Sequence, residues 1–339
     1  MVSIGHATLG DTGVTVLYAG PQGAVASVDV RGGGPGTRET DLLEPHNTVE
    51  RVHAIVLSGG SAFGLAAADG AMRELATHDI GFPVFGEDRP GPRVPIIPAA
   101  VIFDLIVGEV HYPTASDGAA ALRAALSDAA FAPLLEVSGT VGAGTGATAG
   151  RLRGGFGSAS VTAHAPSHNY QVTAYMVANP AGEVVDAETG ELFGARAYER
   201  ATGESLEALD PEAYAAVPDP KQSKLNTTIG VVVTDAPVTK AQAKRLALTA
   251  HDGIARAVRP AHSPLDGDTI FALSAPPADA TAAAPTAAAP TAAAGVDTPT
   301  MMALGVAAAD AVEAAIVDAV VHAAPGFGLA TYATLPKRA

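Results

Sequence analysis

The chain has 339 residues, of which 48% are hydrophobic and 5% aromatic, with no tryptophan. It can build a sizeable core from Ala, Val, Leu and Ile, and global disorder is excluded. Asp and Glu outnumber Lys and Arg 35 to 20, and the formal charge of −15 repels phosphate backbones and anionic lipid, so neither nucleic acid nor membrane is expected as a partner.

The absence of cysteine removes disulfides, thiolate metal sites and a cysteine nucleophile. The opening residues, "MVSIGHATLGDTG", lack a basic segment followed by an apolar one. No secretory signal is expected, and the default location is cytoplasmic.

In chain order, "GVTVLYA" (13–19) and "AVASVDV" (24–30) predict strands around a Gly-Pro turn. A glycine-rich loop, "RGGGPGTRETDLL", follows. "AIVLSGG" (54–60) predicts a buried strand, and "SAFGLAAADGAMRELATH" a helix with Ser61 as its N-cap. A strand, glycine turn and helix in that order point backbone N–H groups at a cleft.

"AVIFDLIVG" is short and apolar, and "DGAAALRAALSDAA" is helical by composition. "QVTAYMVANPAGEVVDAETG" predicts a hairpin with Asn179-Pro180-Ala181-Gly182 as its turn. Thr239 and Gln242 fit a capping box, and Ala243, Leu246, Ala247, Ala250 and Ile254 fall on one face of the helix that follows.

"DTIFALSA" (268–275) predicts a strand, and residues 276–299 an Ala/Pro/Thr-rich surface insertion. Met301 to Ala324 predicts a buried helix rather than a membrane span, because Asp310, Glu313 and Asp318 interrupt it. Strands and helices mix throughout, which supports α/β or α+β in a single domain over 1–339.

Several motifs fail on inspection. "VGAGTGATAG" contains G-x-G-x-x-A, but the glycine-rich segment after it is no helix and no acid stands 20 residues on, so a cleft-lining loop is preferred to a nucleotide site. "GGSAFG" is no serine-hydrolase elbow, since Phe63 stands where the second glycine belongs. His164 and His168 have metal-pair spacing, but Pro166 breaks the helix that spacing needs.

"NTTIGVVVTDA" is different. Thr227 and Thr228 stand where a loop enters a run of β-branched residues. One account is a turn followed by a strand. The other is that the Asn226–Thr227 bond is cut: the Thr227 hydroxyl attacks the Asn226 carbonyl and the resulting ester is hydrolysed. The freed threonine then carries its own base, an α-amine with a pKa of about 7.7–8.0. Downstream, "LDGDTIF" sets Asp266 and Asp268 two residues apart, which fits either a turn or a pair that orients a nucleophile.

Taken in order, "RGGGPGTRETDLL", "LSGGSAFGLAAADG", "VIFDL", "GAGTGATAG", "VANPAGEVVD", "NTTIGVVVTDA" and "HSPLDGDTIFAL" resemble the self-cleaving L-aminopeptidase/D-esterase and β-peptidyl aminopeptidase family, which includes the 6-aminohexanoate-oligomer (nylon-oligomer) hydrolases. The resemblance implies a four-layer αββα sandwich like that of N-terminal-nucleophile hydrolases, with different connectivity. It implies cleavage into an α chain (1–226) and a β chain (227–339), with Thr227 as nucleophile. By resemblance Asn179 helps form the oxyanion hole, and Asp266 and Asp268 position the nucleophile and its amine.

Phe103 replaces a tyrosine common in the family, and Arg151 a lysine of the nylon-oligomer branch. Both are carried as candidate substrate-binding residues, with Ser61 as a lining residue. The expectation is a cofactor-free, metal-free amide hydrolase acting on short peptides, amino-acid amides or ω-amino acid oligomers, assembled as a homo-oligomer (a tetramer of αβ units). The alternatives are an endo-type 6-aminohexanoate-oligomer hydrolase and an uncut, non-catalytic scaffold on the same fold.

Overall fold

Short β-branched runs separated by glycine turns become strands, and the alanine-rich amphipathic stretches become helices. The computed structural model describes residues 2–86, 88–127, 137–220, 226–276 and 295–338. Residues 277–294 of the expected insertion lie outside them. Strands β1 (Ser3–Thr8), β2 (Gly13–Tyr18), β3 (Ala24–Val30), β4 (Thr37–Arg38), β5 (Arg51–Val52) and β6 (Ala54–Ser58) lead to helix α1 (Ala66–Ala76).

The middle carries β7 (Phe82–Pro83), β8 (Arg93–Val94), β9 (Ala99–Val101), α2 (Ala115–Leu126), β10 (Thr148–Ala149), β11 (Leu152–Arg153), β12 (Gly155–His164) and β13 (Asn169–Ala178). Then come α3 (Ala195–Thr202), α4 (Pro211–Ala215), β14 (Ile229–Thr234), α5 (Lys240–Ala257), β15 (Thr269–Ser274) and α6 (Thr298–Val321).

Two sheets stack face to face. One has the order β1-β2-β6-β9-β4, the other β12-β13-β14-β15-β3-β5. Leu17, Ile55, Leu57, Phe156, Val231, Phe271 and Leu273 form the core between them. Helices α1 and α2 cover the outer face of the first sheet, and α5 and α6 that of the second. This is the αββα sandwich.

The scarcity of aromatics is met by close approach. A Cβ at Gly157 on β12 would sit 2.2 Å from the Ala315 carbonyl oxygen of α6, and one at Gly118 on α2 would sit 1.9 Å from the Ala67 carbonyl oxygen of α1. Backbone meets backbone where a larger core would use side chains.

The capping box of α5 forms in both directions: Gln242 N–H donates to the Thr239 hydroxyl at 3.2 Å, and Thr239 N–H to Gln242 Oε1 at 3.1 Å. Ala243, Leu246, Ala247, Ala250 and Ile254 are all buried. The acids of α6 face protein partners: Asp310 pairs with Arg256 at 2.6 Å, and Asp318 accepts from Ser158 N–H at 2.8 Å. No helix among the described residues is long and apolar enough to cross a membrane.

Two expectations are corrected. The hairpin across 179–182 does not form: β13 pairs with β12 and β14, while Glu183 and Val185 make only isolated bridges to Arg259 and Leu192. Val184 and Val185 bury against the helical layer instead, which removes the drive to pair back on β13. Nor is Ser61 an N-cap. Gly60, at φ +80°, takes that position ahead of a 3-10 turn over Ser61–Leu65, and no side chain caps it.

Loss of one capping-box hydroxyl in Thr239→Ala is expected to lower stability by about 1 kcal/mol, seen as a fall in the urea midpoint at unchanged m.

Candidate active site

The topology brings one set of strand ends together. β14 runs parallel to β15 and antiparallel to β13, and β15 runs antiparallel to β3. The starts of β14 and β15 and the ends of β13 and β3 therefore share one edge. They deliver Thr227, Asp268, Asn179 and the glycine-rich loop after Val30.

Residues 226–228 are held extended between two neighbours. Asn226 N–H donates to the Leu265 carbonyl at 3.0 Å, and Thr227 N–H to the Asn179 carbonyl at 3.0 Å. Thr228 N–H donates to Asp268 Oδ1 at 2.8 Å. The Asn226 carbonyl oxygen accepts from Gly267 N–H at 3.1 Å and also from the Thr227 hydroxyl. The hydroxyl thus lies against the peptide unit it follows, and that carbonyl is already polarised. Thr227 is only 4% exposed.

The 263–268 loop is built from its own side chains. Asp266 Oδ2 accepts from Ser263 N–H at 3.1 Å and from the Ser263 hydroxyl, and Oδ1 from Ala181 N–H at 2.9 Å. Asp266 therefore ties this loop to the Asn179-Pro180-Ala181-Gly182 turn.

The glycine-rich loop clamps the other side. Arg31 N–H reaches the Asp268 carbonyl at 2.7 Å, and Gly34 N–H the Asp266 carbonyl at 2.9 Å. Gly32 has φ +84°, and a Cβ there would sit 2.2 Å from the Asp266 carbonyl oxygen. The glycines are what let the two loops touch.

Asn179 is fully buried. Its Oδ1 accepts from Thr148 N–H at 2.9 Å, and its Nδ2 donates to the Phe103 carbonyl at 3.2 Å. Two partners fix the amide plane and leave the second N–H of Nδ2 for another acceptor. Phe103 thus reaches the site through its backbone. Ser61 N–H donates to the Ile102 carbonyl at 2.9 Å, so Ser61 meets the chain one residue before Phe103.

Arg151 sits farther out. Its guanidinium is 3.6 Å from Glu183 and donates to the carbonyls of Ala215 and Val217 at 3.0 and 2.9 Å. Glu183 also accepts from the Tyr214 hydroxyl.

Sequence reasoning passed over Thr148, Ser263, Gly267, His262 and Asp104. The Ser263–Asp266 spacing within "HSPLDGD" is the one local signal that pointed to a side-chain turn. His262 Nδ1 lies 2.7 Å from Asp268 Oδ2. Asp104, beside Phe103, accepts from the Thr12 hydroxyl and from Gly60 N–H, both at 2.6 Å. Among the described residues, no group of three or more His, Asp or Glu side chains is arranged to hold a metal ion.

The model of peptidase family S58 matches residues 1–332. The chain belongs to peptidase family S58. It is 46% identical over 324 residues to an uncharacterized aminopeptidase of Mycobacterium leprae, a match covering 94% of this chain and 85% of the relative. It is 30% identical over 285 residues to the 6-aminohexanoate-oligomer endohydrolase of Paenarthrobacter ureafaciens, covering 80% and 72%.

The L-aminopeptidase D-Ala-esterase/amidase of Ochrobactrum anthropi, described as a new variant of the Ntn hydrolase fold, superposes with a TM-score of 0.70. That match has 21% identity and covers 95% of this chain and 84% of the other. As an S58 member the protein is a hydrolase of amide bonds, and it shares the fold of that aminopeptidase.

Burial pushes the Asp104 carboxyl from 3.8 up to about 6. Between those values the folded chain holds a proton that the unfolded chain has released. Stability therefore falls as pH rises from about 4 to about 6 and levels off above. Asp104→Asn retains both contacts without the charge: its amide oxygen still accepts from Gly60 N–H, and its amide N–H2 donates to the Thr12 hydroxyl, reversing that bond. Its stability relative to wild type is expected to grow by ~1–3 kcal/mol across that window, measured by denaturant unfolding at several pH values.

Proposed function

We propose that this S58 peptidase matures by cutting its own Asn226–Thr227 bond and then uses Thr227 as an N-terminal nucleophile. The observation that carries the proposal is the pair of donors, the Thr227 hydroxyl and Gly267 N–H, on the Asn226 carbonyl oxygen. Attack of Oγ on that carbonyl carbon places negative charge on the oxygen that Gly267 N–H already meets. The C–N bond then breaks, the leaving amine takes a proton, and an ester joins Asn226 to Oγ. Water cleaves the ester to leave an Asn226 carboxylate and a free Thr227 amine and hydroxyl. Because Thr227 is buried in the uncut chain, processing precedes turnover.

In turnover the Thr227 amine takes the hydroxyl proton as Oγ attacks a substrate carbonyl. The free N–H of Asn179 Nδ2 stabilises the oxyanion, and Asp268, bonded to Thr228 N–H, holds the start of the β chain in place. Asp266 keeps the Asn179 turn and the 263–268 loop together. The acyl-enzyme is hydrolysed by water. The substrates proposed are short peptides, amino-acid amides or ω-amino acid oligomers, taken by a homo-oligomer of αβ units.

A narrower reading, endo-hydrolysis of 6-aminohexanoate oligomers, is favoured by the Asn226-Thr227-Thr228 site and by the P. ureafaciens relative. Relative rates on a 6-aminohexanoate oligomer and on an aminoacyl p-nitroanilide separate the two.

The wild-type protein is expected to show two masses meeting at Asn226–Thr227, and Thr227→Ala a single full-length mass. An uncut wild-type chain would sink the proposal in favour of a scaffold. In the cut enzyme, Asn179→Ala is expected to lower kcat by ~10²–10³ with a small change in KM, read by steady-state kinetics.

A further inference from the structure

We infer that His262 is a positioning residue for this reaction, orienting the Asp268 carboxylate that holds the residue after Thr227. The inference rests on Thr227 being the nucleophile, as proposed above. Its ground is the set of hydrogen bonds that reach Asp268. Asp268 Oδ1 is taken by Thr228 N–H at 2.8 Å. Asp268 Oδ2 receives both bonds that His262 offers, from its backbone N–H at 3.2 Å and from Nδ1 at 2.7 Å. One residue thus holds the far oxygen of a carboxylate whose near oxygen holds the start of the β chain. The carboxylate is 2% exposed, shielded from bulk solvent.

The backbone conformation supports a specific role. His262 has φ +54°, the left-handed region that non-glycine residues avoid. In that conformation its N–H and its ring both meet the same oxygen. A residue kept there for packing alone gains nothing from a donor on Nδ1.

The ring is also backed by a second histidine. His251, fully buried on α5, meets it edge-on with centroids 4.9 Å apart. His251 Nε2 donates to the Asp29 carbonyl at 3.1 Å, and burial drives its pKa down to about 3, so it stays neutral. Asp29 is balanced by Arg31 at 2.8 Å and Lys244 at 3.5 Å. The ring behind His262 is therefore neutral, and Asp268 is the carboxylate that the His262 Nδ1–H meets. Neither His262 Nε2 nor His251 Nδ1 has a protein partner among the described residues, so the bond to Asp268 is what sets the orientation of the His262 ring.

Two substitutions separate the donor from the backbone. Glycine accepts φ +54° and lacks the donor; asparagine also tolerates it and places Nδ2 where the histidine has Nδ1. On an aminoacyl p-nitroanilide, His262→Gly is expected to lower kcat on the order of 100-fold with KM within about 2-fold, as a misplaced catalytic group does. His262→Asn is expected to recover to within about 10-fold of wild type.

In an Asp268→Asn background, His262→Gly is expected to cost little further, since the group it orients is gone. Where a variant stays uncut, the same ordering is read from the rate at which the two fragments appear. A His262→Gly enzyme with wild-type kcat, an asparagine variant no better than glycine, or full additivity with Asp268→Asn would each overturn the inference. Those failures occur with a wild type that is cut and active. A wild type that is uncut, or a Thr227→Ala variant that is cut or active, removes the Thr227 reading itself and the inference with it.

Discussion

The site depends on one constraint: three residues are stretched across the gap between two strand ends. Asn226, Thr227 and Thr228 bond in turn to Leu265, to Asn179 and to Asp268, alternating sides as a strand does. Thr227 N–H is committed to the Asn179 carbonyl, which fixes the backbone that carries the hydroxyl. The hydroxyl stays beside the preceding carbonyl, and Gly267 N–H meets that carbonyl from the neighbouring loop. Backbone bonds do this positioning, so the geometry is shared by the whole sheet edge and not entrusted to one flexible side chain.

The rigidity of that edge comes from the packing behind it. Gly157 and Gly118 let helices lie directly on strand and helix, and alanines fill what remains. Such interfaces contain few rotatable bonds, so strand ends keep their mutual positions. The glycine-rich loop extends the same principle to the site. Gly32 and Gly34 bring backbone against the Asp266 peptide, which clamps the 263–268 loop to the loop after β3.

The aspartates divide their labour. Asp266 links two loops, through Ala181 on one side and Ser263 on the other. Asp268 links the start of β14 to His262. Two acids separated by one glycine therefore serve different elements, Asp266 the 179–182 turn and Asp268 the start of β14. Arg151 braces the chain outside this centre, on Glu183 and the carbonyls of Ala215 and Val217.

Helix α5 with its capping box, the β-branched strands at 13–18, 24–30, 54–58 and 229–234, and the buried character of α6 were legible in the sequence. Their signals lie within a few residues of one another, where periodicity and capping chemistry operate. Thr227, Asp266 and Asp268 stood out by residue type and spacing, and Asn179 by the family resemblance. Tertiary structure alone decided where those groups point. The Asn179 turn leaves its strand, and Ala181 N–H bonds the Asp266 carboxylate 85 positions later, so no local hairpin forms. His262 pairs with Asp268 only because a left-handed turn folds the loop back on itself. Contacts of this kind depend on the register of strands joined by long connections, and register is set by how two whole sheets bury their faces together, which no short stretch of sequence contains.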